Sequence, residues 1–199
     1  MVKILNLIII ALLLFNCKTE KISQEEKFVN DILFSVIRDN NELFDSSCKL
    51  IDRFSESFGA QSVNHIIDSV FFLEINDLFD MNDIKYLIIQ KKNLENFELK
   101  TNDFKKRYRL IQKSKIDTFI ASIEKSLNTD KPVDYWEEFD SKIGCIQGFA
   151  RPLISRDKRT IIIKYFQISG PLSARGFTKV FRLINDKWVV LRDLESWVN

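Results

Sequence analysis

The sequence contains one histidine, His65, within Val63-Asn64-His65-Ile66-Ile67. It has no histidine or glutamate partner at metal-ligand spacing. A zinc site needs three or four N, S or O ligands, and neither HExxH nor CxxC occurs, so no metal and no cofactor is expected. A serine or cysteine nucleophile needs a base beside it. With His65 alone and no G-x-S-x-G, no triad can be assembled. Carboxylates cluster twice, as Glu137-Glu138 with Asp134 and Asp140, and as Asp77 with Asp80 and Asp83. Glycoside hydrolysis uses two acids about 5–10 Å apart. In a chain with 29% charged residues, such clusters read first as helix caps and solvated faces. Asp80-Met81-Asn82-Asp83 echoes a calcium loop but lacks its glycine and closing glutamate.

Ser169-Gly170-Pro171-Leu172-Ser173-Ala174-Arg175-Gly176 is the most glycine-rich stretch. It lacks the Lys-Ser/Thr ending of a phosphate loop and lies between two strand patterns. A hairpin loop using permissive glycines is expected, with Arg175 at its tip as a candidate binding group for an anion or a partner's carboxylate. Lys105-Lys106-Arg107 and Arg156-Asp157-Lys158-Arg159 are short basic clusters, read as solvated surface or as contacts to anionic headgroups. Cys48 and Cys145 are candidates for a disulfide in an oxidising compartment. The alternative is two separate buried thiols packing as small hydrophobes.

The chain opens Met1-Val2-Lys3, runs apolar from Ile4 to Phe15 except at Asn6, and turns polar after Cys17 with Lys18-Thr19-Glu20-Lys21. One cation, about 7–15 apolar residues and a cleavage region make a secretory signal. The run is short of the roughly 20 residues a membrane span needs. Leu14-Phe15-Asn16-Cys17 resembles a lipobox, the processing signal of bacterial lipoproteins. Leu14 fits the pattern, while Phe15 and Asn16 are bulkier than its usual residues. The resemblance implies cleavage before Cys17, diacylglycerol on its sulfur and a fatty acyl group on the new amino terminus. Two or three chains form a stable anchor, where one alone is marginal. Lys18 resembles the second residue of lipoproteins sorted to the outer membrane. The expected organisation is a signal peptide over 1–16, a tether over 17–22 and a single α+β domain over 23–199.

Within that domain a helical N-terminal half is expected to pack on a C-terminal antiparallel sheet, a meander. Ser23-Gln24-Glu25-Glu26 reads as a capping box, and Phe28, Ile32, Leu33, Val36 and Ile37 share one helical face. A second helix is expected through Phe44, Cys48, Ile51, Phe54 and Phe58, closed by Gly59 and antiparallel to the first. A Cys48–Cys145 bridge would then staple the helical half to the sheet. Residues 63–75 fit helix and strand alike. Asp80 or Asn82 can cap a helix carrying Ile84, Leu87 and Ile88. The clearest helix follows Ser114, with Ile116, Phe119, Ile120, Ile123 and Leu127, and ends at Lys131-Pro132. From Cys145 onward, 161–168, 176–184 and the segment with Trp188, Val190 and Leu191 read as strands, with Asn185-Asp186 as a turn. Helices first and strands after indicate α+β. Trp136, Trp188 and Trp197 are expected to pack in or around the core.

The last 55 or so residues carry a second resemblance. Gly148-Phe149-Ala150-Arg151-Pro152-Leu153, Ser155-Arg156-Asp157-Lys158, Gly170-Pro171-Leu172, Arg175-Gly176-Phe177, Trp188 and Ser196-Trp197 are similar to the tail of a loose group of uncharacterised bacterial envelope lipoproteins. It implies a sheet-rich ending and an envelope location, and brings no activity with it.

The 199 residues, 45% hydrophobic with 17 Phe, suffice for a buried core. The formal net charge is +2, about +1 once Lys3 is removed with the leader, which gives no electrostatic footprint for nucleic acid. Three function classes stay open: a non-enzymatic binding or interaction module at the membrane surface, an envelope hydrolase using paired carboxylates, and a protective or inhibitory protein for a co-encoded partner. The expected partner in every case is the membrane, held through lipid on Cys17.

Overall fold

The computed structural model describes residues 24–53, 74–91, 97–99, 102–127, 134–170 and 172–198. The leader, Cys17, the tether and Ser23 lie outside the described residues. So do Phe54, Phe58, Gly59, residues 63–73 with His65, and Lys131-Pro132. The helices are α1 over 24–39, α2 (Met81–Lys91), α3 (Asn102–Arg107), α4 (Lys113–Leu127) and α5 (Tyr135–Lys142). The strands are β1 (Lys49–Ile51), β2 (Leu110–Ile111), β3 (Ile146–Phe149), β4 (Leu153–Ile154), β5 (Thr160–Gly170), β6 (Ser173–Ile184) and β7 (Lys187–Val198).

β5, β6 and β7 form an antiparallel meander. The turn between β6 and β7 uses Asn185 and Asp186 with φ of 49° and 61°, the left-handed pair whose twist matches a tight hairpin. On its other side β5 pairs antiparallel with β3 and, further along, with β4. β1 then adds parallel to β3, and β2 parallel to β1, giving the order β2-β1-β3-β5-β6-β7. The fold is thus α+β, helices with a mostly antiparallel seven-stranded sheet, and three corrections follow from its details.

The sheet is more than a C-terminal meander, because β1 and β2 come from the N-terminal half and pair in parallel. The expected second helix is not formed at its start. The Asp45 carboxylate accepts hydrogen bonds from the Ser47 N–H (2.8 Å) and hydroxyl (2.6 Å), a local turn that competes with helix. Lys49 N–H then donates to Cys145 O and Leu50 N–H to Arg109 O. A run as short as 48–51 fits either period, and its sheet neighbours decide.

Helices also cover both faces of the sheet. On one, Ile162, Phe166, Val180 and Ile146 meet Ile84 and Leu87 of α2, Ile116, Phe119 and Ile123 of α4, and Phe139 of α5. On the other, Ile161, Ile163, Tyr165, Phe177, Phe181 and Trp188 meet Val29, Leu33, Val36 and Ile37 of α1 and Phe104 of α3. This explains why β5 reads as one buried run rather than an alternation. α1 and α2 present the apolar faces expected of them, as does α4 from Ile116 to Ile123, though Ile88 of α2 is exposed. Asp80 caps α2 through the N–H groups of Asn82 and Asp83. β7, the last strand in the order, is irregular. Its pairing with β6 slips beside Thr178/Lys179 and Val180/Phe181, leaving Leu191 and Leu194 outside the ladder.

Candidate functional site

The structure brings Cys48, Cys145 and Arg175 into one neighbourhood. Cys48 and Cys145 are bonded, with Cα atoms 4.8 Å apart. Since Cys48 directly precedes β1 and Cys145 directly precedes β3, the bond joins the starts of two neighbouring strands rather than a helix and the sheet. Gln167 Nε2 lies 3.5 Å from the Cys145 sulfur, and Gln167 Oε1 accepts from Arg175 Nε at 2.9 Å. Arg175 therefore does not sit at a loop tip. It lies within β6, opposite Gln167 in the ladder. Gly170 and Gly176 do not serve as permissive turn residues either, since only Gly144 among the described glycines has a positive φ. At Gly176 the reason is room: an added Cβ would meet the Trp197 ring at 2.6 Å.

Around these residues runs a buried polar network that sequence reading missed. The Tyr165 hydroxyl is shared between Gln147 Oε1 (3.0 Å) and Gln167 Oε1 (3.1 Å). Gln147 Nε2 donates to the backbone oxygens of Asp45 and Cys48. Hydrogen bonds from Ser47, with the Arg175 charge beyond them, hold the Asp45 carboxyl below the usual carboxylate range. Burial pushes the Tyr165 and Tyr108 hydroxyls up. The Tyr108 hydroxyl is buried without a hydrogen-bond partner among the described residues. The signal in the sequence was two glutamines, Gln147 and Gln167, inside otherwise apolar strands. Buried amides need partners. The network is thus read as the packing of the disulfide into the sheet, with Arg175 at its exposed margin.

The acidic clusters resolve into structural roles. Asp134 caps α5 through the N–H groups of Trp136 and Glu137. Glu138 pairs with Lys142 one helical turn on. Asp77 makes a bidentate pair with Arg192 at 2.8 and 2.6 Å, which holds its carboxyl below the usual range. Among the described residues no group of three or more His, Cys, Asp or Glu side chains could hold a metal. The three tryptophans pack as expected, Trp188 buried in the α1-side core and Trp136 and Trp197 half-buried against the other.

An open cleft of about 450 Å³ lies at the other end of β5, where Asp83, Asp157, Arg159, Thr160, Arg182 and Asn185 line it. The fold places each by a short turn. Asp83 belongs to the first turn of α2 and accepts the Arg156 N–H at 2.8 Å. Asp157 sits in the β4–β5 turn, accepting from the Ser155 hydroxyl (2.6 Å) and the Arg159 N–H (3.0 Å). Those bonds, with Arg159 and Arg182 nearby, hold Asp157 ionised. Arg182, half-buried, donates to Thr160 Oγ1 (3.3 Å) and Leu78 O (3.1 Å). Arg159 is exposed, and among the described residues its guanidinium reaches only the Leu183 carbonyl, at 3.4 Å. The cleft therefore offers guanidinium donors to a polar ligand. General-acid chemistry requires a protonated carboxyl, and Asp157 is held in the opposite state.

Comparison of the chain with family models, with curated proteins and with solved structures gave no match.

Proposed function

We propose that this protein is a lipid-anchored module of a bacterial cell envelope, acylated on Cys17, that binds its ligand or partner rather than transforming it. The observation that carries the reading is the state of the cleft. Both its carboxylates already accept backbone N–H groups, while Arg159 and Arg182 keep donors to spare. Such a site can hold an anionic or polar group through those guanidinium donors. The leader, the lipobox-like Leu14-Phe15-Asn16-Cys17 and a Cys48–Cys145 disulfide suited to an oxidising compartment support the location. Lys18 favours the outer membrane as the destination. No helix among the described residues is long and apolar enough to cross a membrane, so the attachment in this reading is the lipid.

Two measurements on cells test it. Labelled palmitate should enter the wild-type protein and not Cys17→Ser, and equal labelling would remove the anchor. In-cell crosslinking followed by purification should capture a partner with the wild type that Arg159→Glu loses. An unchanged capture pattern would take the cleft out of the account. Gene neighbours encoding a co-purified partner would specify a protective or inhibitory role.

A further inference from the structure

Segment 151–158 is flanked by two helices. On one side the start of α1 reaches it: Glu25 pairs with Arg151 at 2.7 Å, and Lys158 Nζ stands 4.5 Å over the Phe28 ring. On the other side α2 lies along it. Asp83 accepts the Arg156 N–H, and the Gln90 amide both donates to Ile154 O (2.7 Å) and accepts from Ile154 N (3.0 Å). The outer face of α2 is largely apolar, broken by the exposed Asn82 and Lys85. Met81, Tyr86, Ile88 and Ile89 are exposed by 69, 43, 38 and 60%, and at 100° per residue they form one arc centred near Lys85. Beside it the β4–β5 turn exposes Arg156, Lys158 and Arg159 around the single acid Asp157.

We infer that this face, the outer arc of α2 with Arg156 and Lys158 of the neighbouring turn, rests on the bilayer and contacts anionic lipid headgroups, while Arg159 stays with the cleft. The inference rests on acylation of Cys17. Seven residues run from Cys17 to Gln24, where α1 is first described, and even fully extended they span at most about 25 Å. The anchored domain therefore stays close to the surface, with the start of α1 and segment 151–158, which α2 also touches, nearest the tether. An apolar arc bordered by cations, with a tyrosine at its side, is the composition of an interfacial helix. The Lys85 stem can lie along the arc while its ammonium reaches the phosphates. The cations of the turn match an anionic surface.

The test uses protein extracted from its host's membranes with its acyl chains. It is reconstituted in vesicles of phosphatidylethanolamine and phosphatidylglycerol that carry brominated acyl chains. Ile89→Trp reports the proposed face. Leu172→Trp, at the exposed β5–β6 hairpin about 30 Å away along β5, is the control. The emission that Ile89→Trp adds over the wild type, whose Trp136, Trp188 and Trp197 are common to every variant, should shift to the blue and be quenched several-fold more strongly than that added by Leu172→Trp. The difference should shrink when phosphatidylcholine replaces phosphatidylglycerol. Equal, solvent-like added emission from both variants in protein that floats with the vesicles would overturn the docking face and leave the anchor standing. A blue shift that bromine does not quench would assign the face to a protein and overturn it as well. Protein that does not float would overturn anchor and face together.

Discussion

Tyr165 carries an unusual load for one hydroxyl. Among the described residues it is the only donor reaching Gln147 Oε1, and it shares Gln167 Oε1 with Arg175. Tyr165→Phe should leave the ring packing against Phe44, Phe149 and Phe177 intact while stranding a buried amide oxygen. The expected loss is about 1–3 kcal/mol, read from urea unfolding. Asp45 and Asp157 bear on pH. Both carboxyls titrate lower in the folded chain than their ordinary value of 3.8. Their contribution is therefore complete above that value and is lost as pH falls through it toward the lower folded values. Asp157→Asn should flatten the decline of stability with acid below about pH 4, and an unchanged slope would show that Asp157 gains nothing from its neighbours. Such roles were partly legible in the sequence. Asp80 could be recognised as a cap from the apolar periodicity after it, whereas Asp134 stood in an acidic cluster that concealed the helix it caps. The pairing of Asp77 with Arg192, 115 positions apart, could not, because sheet topology alone brings them together.

The elements separate what periodicity can settle from what it cannot. α4, fifteen residues long, shows several turns of pattern, so its apolar face was readable. β1 and β2, three and two residues long, are strands only because β3 offers a parallel edge, and nothing local announces that. α5 was hidden among acids that looked like a solvated cluster. Two glycines tie strands together in a way the sequence did show without explaining. Gly148 faces Phe166 and Gly176 faces Trp197 across their ladders, each with a ring where a side chain would stand. At Gly148 an added Cβ would meet only the Phe166 ring, at 2.6 Å, whereas at Gly176 it would also meet the Tyr165 backbone oxygen at 2.7 Å. Gly176→Ala should therefore cost more than Gly148→Ala, on the scale of about 1–3 kcal/mol for overpacking, and thermal melts would rank the two. The disulfide acts between elements as well. It closes 97 residues of chain, so Cys48→Ala with Cys145→Ala should lower stability by about 2–5 kcal/mol, measured against the oxidised wild type in urea.

At the scale of the whole molecule, β5 is the strand that everything else leans on. It pairs with β3 and β4 on one side and β6 on the other, and apolar layers cover both its faces. Its amides at 161–166 should be the slowest to exchange with deuterium, and amides of β7 should exchange through smaller openings. Faster exchange in β5 than in β7 would contradict a sheet organised from its middle. The two extra leucines of β7 matter here for a reason unrelated to the core. Proteins fastened to a membrane meet each other in two dimensions at high local density, where any straight ribbon of unpaired peptide groups invites a neighbour to zip on. The register shifts at Leu191 and Leu194 interrupt that ribbon, as bulges do on protected edge strands. In the lipid-anchored state proposed above, copies can then crowd side by side without fusing their sheets.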